Sequence, residues 1–307
     1  MLKLQRTDIL IGFFLAFLGT ALFSLKSIFI KLAYAEGLNT NSVLMLRMAI
    51  SLPIYLVIVF FLSKSKDVPF TNIKSNFIFI VFLGFIGYFL ASWLDLKGLE
   101  SITASLERLT LFTYPIFVAV LGAIFFKTPL NKKIIVSLLL TYFGLWVIFS
   151  QELGGEQLLS SKTTEGVMFV LLSALSYSFY VLFSKNVIHA IGSLWFTALA
   201  MSVSSVFVLV FYGIFFEFNS LEISNSAWVW VTLLAVISTV IPSFMISEAI
   251  LKIGAAQTGI VGTLGPVITI GLAVLILNEP FGFYHAIGVF FVITGVVLLT
   301  FKSKHSI

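Results

Sequence analysis

The chain has 307 residues, of which 60% are hydrophobic and 10% charged, with a mean hydropathy of +1.13 and a formal charge of +5. A water-soluble core of this length cannot absorb so much apolar surface, so a polytopic membrane protein is indicated. The basic residues are scattered over short connections instead of gathered on one domain, which argues against nucleic acid, and without cysteine there is neither a disulfide framework nor thiol chemistry.

The first apolar run lies between Lys3 and Arg6 on one side and Ala33-Tyr34-Ala35 on the other, an outline shared with secretory signals. Its length and its interruption by Lys26 point instead to a retained first helix. Runs long enough to cross a bilayer, about 17 to 25 residues, fall at 10–31, 41–62, 76–96, 102–126, 133–150, 165–185, 193–216, 227–250, 255–277 and 281–301. They predict an all-α membrane protein with ten transmembrane helices. The longest connections, 63–75 and 151–164, leave no room for a nucleotide-binding module, and no G-x-x-x-x-G-K-[ST] run is present. A directly ATP-driven pump is therefore not expected.

Lysine and arginine set the expected orientation, because cytoplasmic loops hold them in excess. With the N-terminus inside, the cytoplasmic segments hold Lys64, Lys66, Lys74, Lys127, Lys132, Lys133, Lys252, Lys302 and Lys304 among others. The opposite side holds Lys31, Lys97 and Lys162 beside Glu36, Glu100, Glu152, Glu156, Glu217, Glu222 and Glu279. Both termini are expected in the cytoplasm of a cell whose inner (plasma) membrane the chain crosses.

The sequence also repeats itself. Tyr114-Pro115 matches Gly265-Pro266, Thr128-Pro129 matches Glu279-Pro280 and Gly144 matches Gly295, each pair 151 residues apart. Gly12, Ser24 and Lys31 match Gly166, Ser178 and Lys185 at an offset three residues larger. Two five-helix repeats, 1–150 and 163–302, follow. An odd helix number makes the second enter from the opposite face, the inverted-repeat design of many secondary transporters, with the substrate site at the repeat interface.

These features, together with the Thr-Pro and Asn278-Glu279-Pro280 helix endings and the run Glu-Arg-Leu-Thr-Leu-Phe-Thr-Tyr-Pro from Glu107 to Pro115, resemble the drug/metabolite transporter superfamily, EamA-like branch. The resemblance covers the whole chain and implies a secondary transporter of a small polar metabolite, such as an amino acid or related compound, with export the commoner direction. A lipid-carrier or lipid-headgroup flippase of the same superfamily is the alternative reading. One departure stands out: helix 4 ends in Lys127-Thr128-Pro129, where such repeats often carry a glutamate, present here only at Glu279.

Lys26, Arg47, Asp95, Glu107 and Arg108 lie inside apolar runs, where an ionisable group is costly and read first as functional. At about 1.5 Å per residue they fall roughly 6 to 12 Å outward of the midplane, in one slab. The matching second-repeat residues are Tyr180, Met201, Ile246, Thr258 and Gly259, so the charge is confined to one copy. Such charges can simply join helices, but three cations outnumber two carboxylates. The spare cation suits a carboxylate or phosphate on a substrate.

Glu107 and Arg108 point about 100° apart on a helix. Arg108 towards substrate with Glu107 towards Arg47 or Lys26 is one arrangement; the reverse fits the sequence equally. Glu107 and Asp95 are the proton-coupling candidates. Pro115 and Pro266 break matching helices, and Gly259, Gly262 and Gly265 predict a close helix contact. The resemblance places Trp93, Tyr114, Tyr177 and Tyr180 around the cavity, and Gln257 is a polar position of the second repeat. His189, His285 and His305 are not spaced as metal ligands, and no nucleophilic triad is recognisable. The expected partners are a small molecule and the lipid bilayer. No enzyme activity, cofactor or metal is expected, and monomer and homodimer both remain open.

Overall fold

The computed structural model describes residues 6–64, 70–127, 132–152, 161–217, 223–253, 258, 261–262 and 264–300. Every regular element among them is helical. Thr128, Pro129, Gln257, Gly259 and His305 lie outside the described residues.

The first apolar run is broken: α1 (Arg6–Ser24) gives way at Leu25 to α2 (Lys26–Ala35). Ser24 Oγ donates back to Thr20 O at 2.8 Å, a bond that competes with the helical ladder. After Gly37, whose φ of 88° requires glycine, comes α3 (Thr40–Lys64). The third run is α4 (Phe70–Gly84), a π-helical turn (Phe85–Leu90) and α5 (Ala91–Leu99). The fourth is broken at Phe112-Thr113 into α6 (Ala104–Leu111) and α7 (Tyr114–Phe126), followed by α8 (Lys132–Glu152).

In the second half α9 (Ser161–Ile191) and α10 (Ser193–Phe215) are continuous. The next run is α11 (Asn225–Ala235), a π-helical turn (Val236–Val240) and α12 (Ile241–Ile253). The last two helices are α13 (Leu264–Leu277) and α14 (Phe283–Thr300).

Seven stretches of the described chain are long and apolar enough to cross a membrane: Asp8–Ala35, Thr40–Lys64, Asn72–Leu99, Ala104–Phe126, Lys162–Ile188, Ser193–Phe215 and Asn225–Ile250. Ile134–Ile148, Leu264–Leu277 and Phe283–Leu298 are shorter apolar helices and lie on the fifth, ninth and tenth apolar runs. Leu10, Phe14, Ile78, Leu275 and Phe290 are among the most exposed side chains, so the surface is an apolar belt suited to lipid. The interior is seeded with buried hydroxyls that satisfy carbonyls at the helix irregularities. Ser176 Oγ reaches Ile86 O and Ser173 Oγ reaches Ala91 O, both at 2.7 Å, beside the first π turn. Thr239 Oγ1 reaches Leu234 O at 2.8 Å beside the second.

The two π turns begin at matching places, Phe85 and Val236. So do the helix stops at Lys127 and Asn278, with φ of 53° and 54°. Helices α8 and α14 cross where Gly144 faces Gly288; a Cβ on Gly144 would stand 2.5 Å from Gly288 O. Gly295 faces Ser137 and Thr141 at the other end of the same contact, so the two helices run antiparallel.

Candidate functional site

Three of the sequence-selected charges meet at the break between α1 and α2. Lys26 opens α2, Asp95 sits in α5 just beyond the first π turn, and Glu107 lies in the first turn of α6. Lys26 Nζ is 2.5 Å from Asp95 Oδ2 and 4.0 Å from Glu107 Oε1, and all three residues are buried. Ser27 Oγ donates to Glu107 Oε2 at 2.5 Å. Asp95 Oδ1 and Glu107 Oε1 have no hydrogen-bond donor. One ammonium thus serves two carboxylates and leaves an acceptor free on each. That arrangement can take a proton or a cationic group.

The two arginines stand apart from this trio. Arg47 Nε donates to Thr239 Oγ1 at 2.9 Å, across to the second π turn, while its Nη1 is buried without a partner. Arg108 lies over the Phe23 ring, 5.1 Å from the centroid, and its Nε is also unpartnered. Among the described residues no carboxylate lies within ion-pair distance of either guanidinium. Thus Glu107 turns to Lys26 and Arg108 turns to α1 and α13, the roughly 100° separation expected of helix neighbours.

Expectation and structure part at Gly262 and agree at Gly265. A Cβ on Gly262 would meet nothing within 4 Å, and one on Gly265 would meet Arg108 Nη2 at 3.0 Å and Ser24 Oγ at 3.6 Å. The small residue at 265 therefore makes room for the guanidinium while α1 approaches through Thr20 and Ser24, the close helix contact that the glycine spacing suggested.

Pro115 lies near the middle of the Ala104–Phe126 span, just after the break at Phe112-Thr113, as its missing N–H leads one to expect. It is the second residue of α7, and Pro266 lies in α13 shortly after the helical residues Val261 and Gly262. The carbonyl before each is held from the other half of the chain: Ser178 Oγ donates to Tyr114 O at 3.0 Å and Ser24 Oγ to Gly265 O at 3.1 Å.

The aromatic candidates form one wall. Tyr114 packs edge-on to Tyr177 at 5.2 Å, Tyr177 stacks on Tyr180 at 5.6 Å, and Tyr180 meets Tyr88, with the two hydroxyls 3.0 Å apart. Trp93 stands elsewhere, its Nε1 donating to Asn41 Oδ1 at 2.9 Å and its ring edge-on to Phe169.

Ion pairs also mark both ends of the bundle. At one, Lys252 bridges Asp8 at 3.3 Å and Glu248 at 3.5 Å. At the other, Glu100 accepts from Lys97 at 2.6 Å and from the Thr40 N–H at 2.8 Å. Burial works to raise the Glu100 carboxyl, but these donors hold it below its ordinary range.

The family model described as the EamA-like transporter family matches twice, over residues 10–150 and again over 164–301. The chain belongs to the EamA-like transporter family. It is 30% identical over 297 residues to the uncharacterized transporter YcbK of Bacillus subtilis (strain 168), covering 93% of this chain and 92% of that one. A second relative from the same organism, the uncharacterized transporter YetK, is 26% identical over 262 residues, 84% of this chain and 78% of its own. A crystal structure with a TM-score of 0.66 and 16% identity covers 96% of both chains, which shows the fold is shared. This EamA-like protein is therefore a multi-pass membrane transporter, in contact with lipid and with a small-molecule substrate.

Several residues around the charges escape sequence reading. Ser27 and Phe23 flank Lys26 but look like ordinary helix residues. Thr239 is detectable only as the repeat partner of Tyr88, and Tyr88 only by its place in the first π turn. Among the described residues no group of three or more His, Cys, Asp or Glu converges as metal ligands. A cavity of about 180 Å³ between α6, α8 and α9 is lined by Leu106, Thr110, Tyr142, Leu145, Trp146, Val167 and Leu171.

Proposed function

We propose that this EamA-like protein is a secondary transporter that moves a small polar metabolite bearing an anionic group, such as an amino acid or related compound, by alternating access. Two buried guanidiniums without a carboxylate partner carry the reading. A buried charge is destabilising unless paired, and a substrate carboxylate or phosphate supplies the missing bidentate acceptor. Arg108 is the anchor, with Arg47 across the interior. Asp95 and Glu107 hold a cationic group or a coupling proton beside Lys26, and the Tyr114, Tyr177 and Tyr180 wall bounds the site.

The architecture that goes with this function is ten membrane helices in two inverted five-helix repeats, 1–150 and 163–302. It is supported by the double family match, the matched π turns and the antiparallel α8–α14 contact. Loop charge supports a plasma-membrane orientation with both termini cytoplasmic, and family resemblance favours export.

Uptake and efflux in proteoliposomes, with a panel of amino acids and nucleotide-like metabolites, tests the reading. One compound is expected to move, Arg108→Ala to abolish its transport in folded protein, and Glu107→Gln to change the pH dependence. If both variants transport that compound as the parent does, the charges only join helices and the substrate reading is wrong.

A further inference from the structure

The N-terminus of α6 is closed by the other half of the chain. A helix leaves its first N–H groups without acceptors inside the helix. In α6 the Leu106 N–H is taken by Thr103 Oγ1 at 3.0 Å, and that of Glu107 by Thr103 O at 3.0 Å. The two that remain both go to Glu279. Ala104 N–H donates to its Oε1 at 2.6 Å and Ser105 N–H to its Oε2 at 3.0 Å, while Ser105 Oγ adds a third bond to Oε2 at 2.7 Å.

Glu279 is itself held in place. Asn278 takes a φ of 54° to stop α13, and the Glu279 N–H turns back to Ala273 O at 3.2 Å. A carboxylate on a helix N-terminus gains from charge-assisted bonds and from the helix dipole. The result is a clamp between segments 175 positions apart in the chain.

The clamp has no sequence counterpart in the other copy. The residue matching Glu279 is Thr128, and the segment matching Thr103-Ala104-Ser105 is Gly254-Ala255-Ala256. Both the carboxylate and the hydroxyls are missing there, although the helix stops at Lys127 and Asn278 do match. What the clamp holds also differs from an ordinary cap, because α6 carries Glu107 two residues beyond Ser105 and Arg108 one turn beyond Ala104.

We infer that Glu279 is a positioning residue and a latch. Closed, it fixes α6 so that Glu107 meets Lys26 and Arg108 lies between Phe23 and Gly265. Passage through that end of the bundle requires the latch to open, and opening moves both charges at once. The link to substrate rests on the proposed role of Arg108; the latch itself can be tested without any substrate.

The chain has no cysteine, so spin labels on cysteines introduced at Ser101 and Phe281, both exposed and on opposite sides of the clamp, report without background. Their separation is measured by pulsed electron paramagnetic resonance in nanodiscs with no substrate added. Glu279→Gln is expected to raise the longer-distance population at least roughly tenfold, and Ser105→Ala, which removes one of the three bonds, a few-fold in the same direction. Glu100→Gln, which loosens an ion pair at the same end but within one half, should leave the distribution unchanged. If Glu279→Gln does not fold, Ser105→Ala decides. Parental distributions in the folded latch variants, or an equal shift in Glu100→Gln, overturn the latch. Unaltered transport in Arg108→Ala would sink the substrate assignment and leave the distance result standing.

Discussion

Where Phe85–Leu90 winds as a π turn in the first half, Val236–Val240 does so in the second, and where Ser24 holds the carbonyl before Pro266, Ser178 holds the one before Pro115. Yet where the first half places Lys26, Arg47, Asp95, Glu107 and Arg108, the second has Tyr180, Met201, Ile246, Thr258 and Gly259. The shared features include two places where helices bend; the unshared ones include the five charges and the break at Leu25, since α9 runs on unbroken. In the proposed mechanism movement has to be available to both halves, whereas one anionic group needs a single anchor.

The comparison can be broken most severely at Lys26. Lys26→Met leaves Asp95 and Glu107 buried side by side without a cation and is expected to destabilise the protein by about 3–5 kcal/mol, with Asp95→Asn recovering part of the loss. Denaturant unfolding in detergent measures both. Thr239→Val removes the one hydroxyl bound to Arg47 Nε and should lower stability by roughly 1.5–3 kcal/mol. The equivalent change at its repeat partner, Tyr88→Phe, touches no charge and should have the smaller effect in the same assay.

The shared features sharpen the comparison. Gly144→Ala and Gly295→Ala each push a methyl into the facing helix, and each is expected to cost about 1–3 kcal/mol in unfolding free energy. Smallest are Ser24→Ala and Ser178→Ala, at roughly 0.5–1.5 kcal/mol apiece. The two should lower the thermal midpoint equally; a loss confined to one would show that the matched bonds do unequal work.

Much of this was legible because apolar length and repeat spacing are one-dimensional properties. Each of the ten apolar runs carries helix among the described residues, and the pairing of Lys26 with acids on other helices follows from the rule that a buried charge seeks its opposite. What the sequence concealed depends on backbone detail. Neither Phe85–Leu90 nor Val236–Val240 carries proline or any other mark of a π turn. Glycine spacing marked Gly265 for helix packing but could not reveal that Arg108 also fills the space beside it. Glu279 looked like a family signature at a helix end, since a cap donated from 175 positions away leaves no local pattern.

The unequal count of buried charges has an electrical consequence. With both carboxylates ionised, Lys26, Arg47 and Arg108 leave one net positive charge inside the empty protein. The monoanion proposed as substrate would cancel it. A charge carried through the full membrane field exchanges about 2.3 kcal/mol per 100 mV. Under the proposed alternating access, reorientation of the empty carrier is the step that membrane voltage drives or stalls, while the loaded carrier turns over almost blind to it.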